Sequence, residues 1–475
     1  MHSNIHIPQC YIDTLSTTLP DNIALNDVLD ACRRPLRKSI RVNTLKVSVK
    51  QFLQRAVEKN WALIPVPWCN EGFWIDCDES ITPLGNSAEH LAGWFYIQEA
   101  SSMMPVTALL FDNDNLDVVL DMAAAPGSKT TQLASAMQQR GVLIANEYAA
   151  SRIKVLAANI QRCGIFNAAL THFDANIFGE WLPESFDSIL LDAPCSGEGA
   201  MRKDEHAMKN WTLQSVKEIA SVQKNLIESA FHALKPGGTL VYSTCTLNHY
   251  ENQQVCEHLL ATFGDAVTIE PLDSLFDGAA QCITPEGYLH VYPHVYDTEG
   301  FFVARFKKCT ATPLPALKTK KGKFPFTALE TKHQDTVQAQ LSHDLKLTLP
   351  ADSQLWVRDR ELWLFPKAIN SIINKIRYQR IGVKLGEQHK KGVRWQHEGI
   401  LALATIQDVE ALSLTAELAK EWYMGRDVRP DLESGKGDVL VSYKDMVIGL
   451  GKWVGSRIKN GLPRDQVRDT NLFSE

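Results

Sequence analysis

Between Asp117 and Lys308 the chain alternates short apolar runs with segments whose apolar residues recur every three to four positions, the pattern of strands separated by helices. The runs Asp117–Asp121, Gly141–Glu147, Ala168–Phe173, Phe186–Asp192 and Thr239–Thr244 predict strands of a parallel sheet with helices on both faces. Lys129–Met137, Ser151–Cys163 and Gln214–Leu234 predict the helices, the last stopped by Lys235-Pro-Gly-Gly238. Residues 289–306 read as two strands around a turn, an antiparallel hairpin expected to finish the sheet.

The flanks carry a different pattern. Upstream, Ser39–Leu45 and Phe73–Cys77 predict strands and Val49–Glu58 a helix, which makes a small α+β unit. Downstream, Lys318-Thr-Lys-Lys-Gly-Lys-Phe-Pro325 is basic and interrupted by helix breakers, as a linker or exposed loop would be. Strand-like runs follow at 355–357, 362–365, 439–443 and 447–454, with a polar helix expected over 406–422. These shifts divide the chain into an N-terminal region 1–105, a doubly wound α/β domain 106–310, a linker 311–327 and a C-terminal region 328–475.

Charge changes the picture of the tail. The whole chain carries −6, but residues 318–475 hold 26 Lys and Arg against 20 Asp and Glu, so an excess of cations sits behind an acidic remainder. Within the tail, residues 374–395 carry seven Lys or Arg against one Glu, with Tyr378 and Trp395 between them, a candidate surface for phosphates and unpaired bases. A solvated basic face is the competing explanation. No apolar run is long enough to span a bilayer and residues 1–8 do not read as an export signal, so a cytoplasmic location without membrane attachment is expected. The ten cysteines include no Cys-x-x-Cys pair, which argues against a zinc site, and no metal is expected.

Candidate chemistry lies where the predicted strands end. The first runs into Asp121-Met-Ala123-Ala124-Ala125-Pro126-Gly127-Ser128-Lys129, a turn of small residues opening a helix, whose amides can face an anionic group of a ligand. It is neither a dinucleotide fingerprint nor a P-loop. Glu147, about 20 residues on, is placed to accept from a ribose hydroxyl, and Asp174 to bond an adenine amine. Alone, either residue is better explained as a surface carboxylate; their recurrence at successive strand ends favours a ligand cleft.

Strand four delivers Asp192-Ala-Pro-Cys195-Ser-Gly197 and strand five Ser243-Thr-Cys245, which puts two cysteines at the same sheet edge as the loop. A lone cysteine there would most simply be a small buried residue. Two in turns of small polar residues suit a thiolate nucleophile with a second group beside it, whereas Cys163, Cys256 and Cys282 lack that setting. Lys129 could lower a thiol pKa or bind a phosphate, and these alternatives stay open.

Together with Arg41-Val-Asn43, Gln98-Glu-Ala-Ser-Ser-Met103 and Gly300-Phe-Phe-Val-Ala304, these motifs resemble the RNA cytosine-5 methyltransferases of the nucleolar protein/Sun family, over residues 20 to 308. The resemblance implies a seven-stranded Rossmann-like methyltransferase domain. It implies Cys245 as nucleophile toward carbon 6 of cytosine and Cys195 as the group serving release. It also implies a pocket for S-adenosylmethionine and the base built from Ala123–Lys129, Glu147, Asp174 and Asp192. Ser128 departs from the glycine common in relatives. Through Gly382-Val-Lys-Leu-Gly386 and residues 389–398 the chain is similar to the bacterial ribosomal branch of that family. That similarity implies a PUA-like RNA-binding domain near the C-terminus and, as partner, a cytosine in the decoding region of 16S ribosomal RNA within the small ribosomal subunit.

Overall fold

A computed structural model of the chain describes residues 7–203, 206–313, 324–404, 409–470 and 472–473. The central sheet is built from β1 (Val118–Asp121), β2 (Val142–Asn146), β3 (Ala168–Thr171), β4 (Phe186–Asp192), β5 (Leu234–Thr244), β6 (Val267–Ile269) and β7 (Phe301–Lys308), in the order β3-β2-β1-β4-β5-β7-β6. Strands β1 to β5 run parallel. Alternate side chains explain the unbroken apolar runs. Val119, Leu143, Leu190 and Val241 enter the core on one face, and Leu120, Ile144, Ile189 and Leu240 the core on the other. Helices α1 (Ser128–Met137), α2 (Ala150–Arg162) and α3 (Leu213–Ala233) provide much of the cover.

The expected hairpin does pair, Leu289 facing Val303, but a short helix over Pro293–Tyr296 interrupts it. Nor does it finish the sheet as a simple edge: β7 lies between β5 and β6, antiparallel to both. A further strand comes from the tail, where Arg380–Ile381 pairs antiparallel with Leu170 and Ala169 of β3. It covers what would otherwise be an open sheet edge.

The N-terminal strands Ser39–Val42, Ala62–Val66, Cys69–Asp76 and Phe95–Ile97 form an antiparallel sheet. Helix Val49–Glu58 packs beside it, started by a capping box between Ser48 and Gln51. This unit is tied to α1 by polar side chains. The buried Arg41 guanidinium donates to Gln98 Oε1 at 2.9 Å and Thr131 Oγ1 at 2.8 Å, while Asn43 donates to the Gly93 and Cys163 carbonyls and accepts from Ser135 Oγ. An Arg41→Ala variant leaves those acceptors buried without a donor and is expected to lose about 2–4 kcal/mol. Denaturant unfolding checks this, and a loss under about 0.5 kcal/mol would show that the clamp is dispensable.

In the tail, strands between Thr327 and Trp395, other than Arg380–Ile381, form one antiparallel sheet, and strands between Leu412 and Lys459 form a second, mixed sheet in which Leu412–Ser413 pairs parallel. The helix expected over 406–422 is corrected: it spans Ala416–Tyr423, capped by Thr415, and Leu412–Ser413 is a strand beside Val441. Residues 405–408, and most of the basic stretch from Lys318, lie outside the described residues. No helix among the described residues is long and apolar enough to cross a membrane.

Candidate active site

The sheet order brings the ends of β1, β4 and β5 together, because β1 and β5 flank β4. Ligands of open α/β sheets bind at this carboxyl edge. Four of the residues expected from sequence meet there. Cys195 Sγ and Cys245 Sγ stand 3.0 Å apart as free thiols. Asp192 closes β4 and receives Lys129 Nζ at 2.8 Å on one carboxylate oxygen and Ser243 Oγ at 2.7 Å on the other. Burial works against the Lys129 ammonium, yet the adjoining Asp192 carboxylate more than offsets it and holds the pKa above the ordinary lysine value. Lys129 also donates to Ser102 Oγ at 2.7 Å. Its charge is therefore held inside the site by Asp192, which disfavours the phosphate-binding role.

Both cysteines occupy loops that buried glutamates brace. Glu251 accepts from the Ser196 amide and Gln223, and Glu198 accepts from Thr246 Oγ1, the Leu247 amide, Asn248 and the Trp211 indole. Asn248 joins the two carboxylates, bonding Glu251 at 2.8 Å as well. The hydrogen bond to Cys245, then burial, pushes the Cys195 thiol well above its usual pKa. The two sulfurs lie within hydrogen-bond distance, and either thiol can be the donor.

The small-residue loop follows β1. Gly127, at φ 110°, precedes the first residue of α1, and an added side-chain carbon there would meet Leu156 Cδ1 at 3.1 Å. The Pro126 carbonyl accepts from Asn159 at 2.9 Å, and Arg152 donates to the Ala125 carbonyl, so α2 fixes the loop from outside. Glu147 is buried; one oxygen accepts from the Ala149 amide at 2.8 Å and the other lies 3.5 Å from Arg152. Asp174 is exposed and caps the turn Ala175–Ile177 through the Asn176 amide. Both retain oxygen lone pairs for hydroxyl or amine donors.

Sequence reasoning passed over Asp121. It accepts from Thr130 Oγ1 at 2.7 Å, but its other oxygen is buried without a hydrogen-bond partner, and burial raises its pKa to about 7. An orphaned acceptor at the mouth of the loop suits the amino group of an amino-acid moiety, so the residues present fit an S-adenosylmethionine-like ligand. Glu198 and Glu251 were also passed over; the signal available was an acidic residue three places after Cys195 and another six after Cys245.

The basic segment 374–395 is less open than its composition suggested. Arg380 is paired with Glu398 at 2.9 Å, and Lys384 with Glu361 and Glu387. The aromatic residues are committed as well: Trp395 is buried and donates to Asp344, and the Tyr378 hydroxyl donates to the Ile372 carbonyl. Trp395 is thereby closed to a base, whereas Tyr378 stays partly exposed. Lys375, Arg377, Lys390, Lys391 and Arg394 remain exposed.

Family models match four consecutive segments: the N-terminal domain of 16S rRNA methyltransferase RsmF at residues 7–100, 16S rRNA methyltransferase RsmB/F at 108–307, the pre-PUA domain of ribosomal RNA small subunit methyltransferase F at 326–403, and the methyltransferase RsmF PUA domain at 409–468. The chain is 60% identical to the ribosomal RNA small subunit methyltransferase F of Aliivibrio fischeri strain MJ11 and to that of Vibrio parahaemolyticus, in each case over 100% of both chains. Among solved structures, a methyltransferase homolog protein from Pyrococcus horikoshii matches at 35% identity and TM-score 0.54, over 62% of this chain and 93% of that one. NSun6 from Pyrococcus horikoshii, solved with SFG, shares the fold at 23% identity and TM-score 0.56, over 64% and 98%. With a methyltransferase sheet, a matched PUA segment and relatives alike from end to end, the chain belongs to the ribosomal RNA small subunit methyltransferase F family, within the RsmB/F group of 16S rRNA methyltransferases.

Proposed function

We propose that this protein transfers a methyl group from S-adenosylmethionine to carbon 5 of one cytosine in the decoding region of 16S ribosomal RNA, through a covalent bond between Cys245 and carbon 6 of the base. The observation that carries this reading is the 3.0 Å approach of two reduced thiols beside the Lys129–Asp192 pair. Carbon 5 of cytosine is too electron-poor to take a methyl group unaided. Addition of the Cys245 thiolate at carbon 6 places an electron pair at carbon 5. S-adenosylmethionine supplies an electrophilic sulfonium methyl when bound.

Asp192 has both oxygens fixed by Lys129 and Ser243, yet a carboxylate offers about four acceptor positions, so it can still take the exocyclic amine of the base. Lys129 balances its charge. After transfer the carbon 5 proton is lost to water, its bonding pair restores the ring double bond, and the bond from carbon 6 to sulfur breaks. The Cys195 thiol, already in contact with the departing Cys245 sulfur, stabilises it as a leaving group. Ala123–Lys129, Glu147, Asp174 and Asp192 make the cofactor and base pocket, with Glu147 on the ribose and Asp174 on the adenine.

The target cytosine must leave its stack to reach Cys245. We assign binding of the surrounding RNA to the N-terminal region 1–105 and to the C-terminal region 328–475, which the linker 311–327 joins to the methyltransferase domain 106–310, with the five exposed cations of 374–395 on phosphates. We place the reaction in the cytoplasm, on the small ribosomal subunit. The test is transfer of labelled methyl to small subunits, naked 16S ribosomal RNA and transfer RNA, followed by nucleoside analysis. 5-Methylcytosine at one position of the small-subunit RNA is expected; label on another base, or on transfer RNA alone, would overturn the assignment.

A further inference from the structure

A second acidic pair borders the site and takes no part in the chemistry above. Glu99 follows the N-terminal strand Phe95–Ile97, and Glu299 precedes Gly300 at the start of β7. Glu99 is saturated with donors: one oxygen receives Ser101 Oγ and the Ser102 amide, and the other receives the Glu299 amide at 3.3 Å. Glu299 is the reverse case. Its side chain is buried, and its Oε1 has no hydrogen-bond partner. A buried carboxylate oxygen without a donor is costly, and a proton on that carboxyl lowers the cost by removing the charge.

The groups facing Glu299 come from three elements. Glu99 contributes a like charge from the N-terminal unit, Lys129 a cation from α1, and Arg202 and Lys203 cations from the turn after Cys195. Arg202 is itself occupied by Asp297 and by the carbonyls of Arg34, Pro35 and Thr298. Burial, then the Glu99 charge, prevails over the three cations and raises the Glu299 pKa to about 8.

The consequence runs through Ser102. Glu99 holds the turn Ser101–Met103, and that turn presents Ser102 Oγ to Lys129 Nζ, which grips Asp192. We propose that Glu299 carries a proton beside Glu99, and that this pair is a positioning device holding Lys129 against Asp192 through Ser102. Loss of the proton sets two carboxylates against each other beneath the turn and loosens the lysine. The inference rests on the proposed role of Lys129 and Asp192, so one of its two tests does not use activity.

The first test is infrared difference spectroscopy of the full chain between about pH 6 and pH 10, which brackets the raised value. A protonated-carboxyl band that titrates near pH 8 and is missing from Glu299→Gln is expected; its absence from the wild type overturns the proton on Glu299. The second is the ratio of single-turnover methylation by Glu299→Gln to that of the wild type. Glutamine cannot lose the proton, so the ratio should rise about tenfold from pH 7 to pH 9. A ratio flat across that range overturns the positioning role even where the band is present. If neither chain methylates RNA, the infrared result still decides the proton on Glu299, and the failure then belongs to the reaction assignment.

Discussion

A Cys245→Ala variant is expected to lose RNA methylation by roughly a thousandfold or more, while remaining folded, because the thiol assigned to make the bond to carbon 6 is gone. Alanine in place of a half-buried thiol removes one atom and leaves the Glu198 and Glu251 braces untouched. Cys195→Ala has a different signature. Addition and methyl transfer still proceed, but the sulfur of Cys245 departs without the thiol it contacts at 3.0 Å. The expected outcome is about one methyl transferred per protein and a covalent protein–RNA complex that survives denaturation. Gel analysis under denaturing, thiol-free conditions distinguishes the two. A trapped complex with Cys245→Ala, and not with Cys195→Ala, would exchange their roles.

Gly199→Ala is expected to cost about 3 kcal/mol or more and to remove activity, although Gly199 touches no substrate. Its amide donates to the Cys245 carbonyl at 2.8 Å, and its carbonyl accepts from the Gly300 amide at 3.3 Å. A side-chain carbon at Gly199 would lie 2.1 Å from the Gly300 oxygen and 3.0 Å from the Cys245 oxygen. Both obstacles are backbone, so neither can swing aside. Gly85→Ala is the control: the added carbon would meet only Ile97 Cδ1 at 3.9 Å, and a change under about 0.5 kcal/mol is expected. Thermal unfolding and methylation of the two variants decide it; equal melting temperatures would show that the backbone around Cys245 yields more easily than its packing indicates.

The five parallel strands were legible because each is buried on both faces and so cannot alternate polar with apolar residues. The added strand Arg380–Ile381 was not. Its two residues pair with β3, more than two hundred positions away in the chain, and no local pattern encodes that contact. The segment 374–395 misled for a related reason. Charge counts are read along the chain, but Glu398 and Glu361, which neutralise Arg380 and Lys384, arrive from other elements. Likewise the helix expected over 406–422 began too early, because pairing of Leu412–Ser413 with Val441–Ser442 overrides local preference.

Local sequence sets which residue types stand at which strand ends: small residues after β1, Asp192 at the end of β4 with Cys195 just after it, and Cys245 after β5. Strand ends are local features, fixed by where apolar runs stop. Long-range packing places β4 between β1 and β5, and hence brings Cys195 to Cys245 and Lys129 to Asp192. It alone left Asp121 and Glu299 each with an oxygen lacking a partner. Burial and the supply of donors are properties of what packs around a residue, and for these two carboxyls the surroundings come from distant parts of the chain.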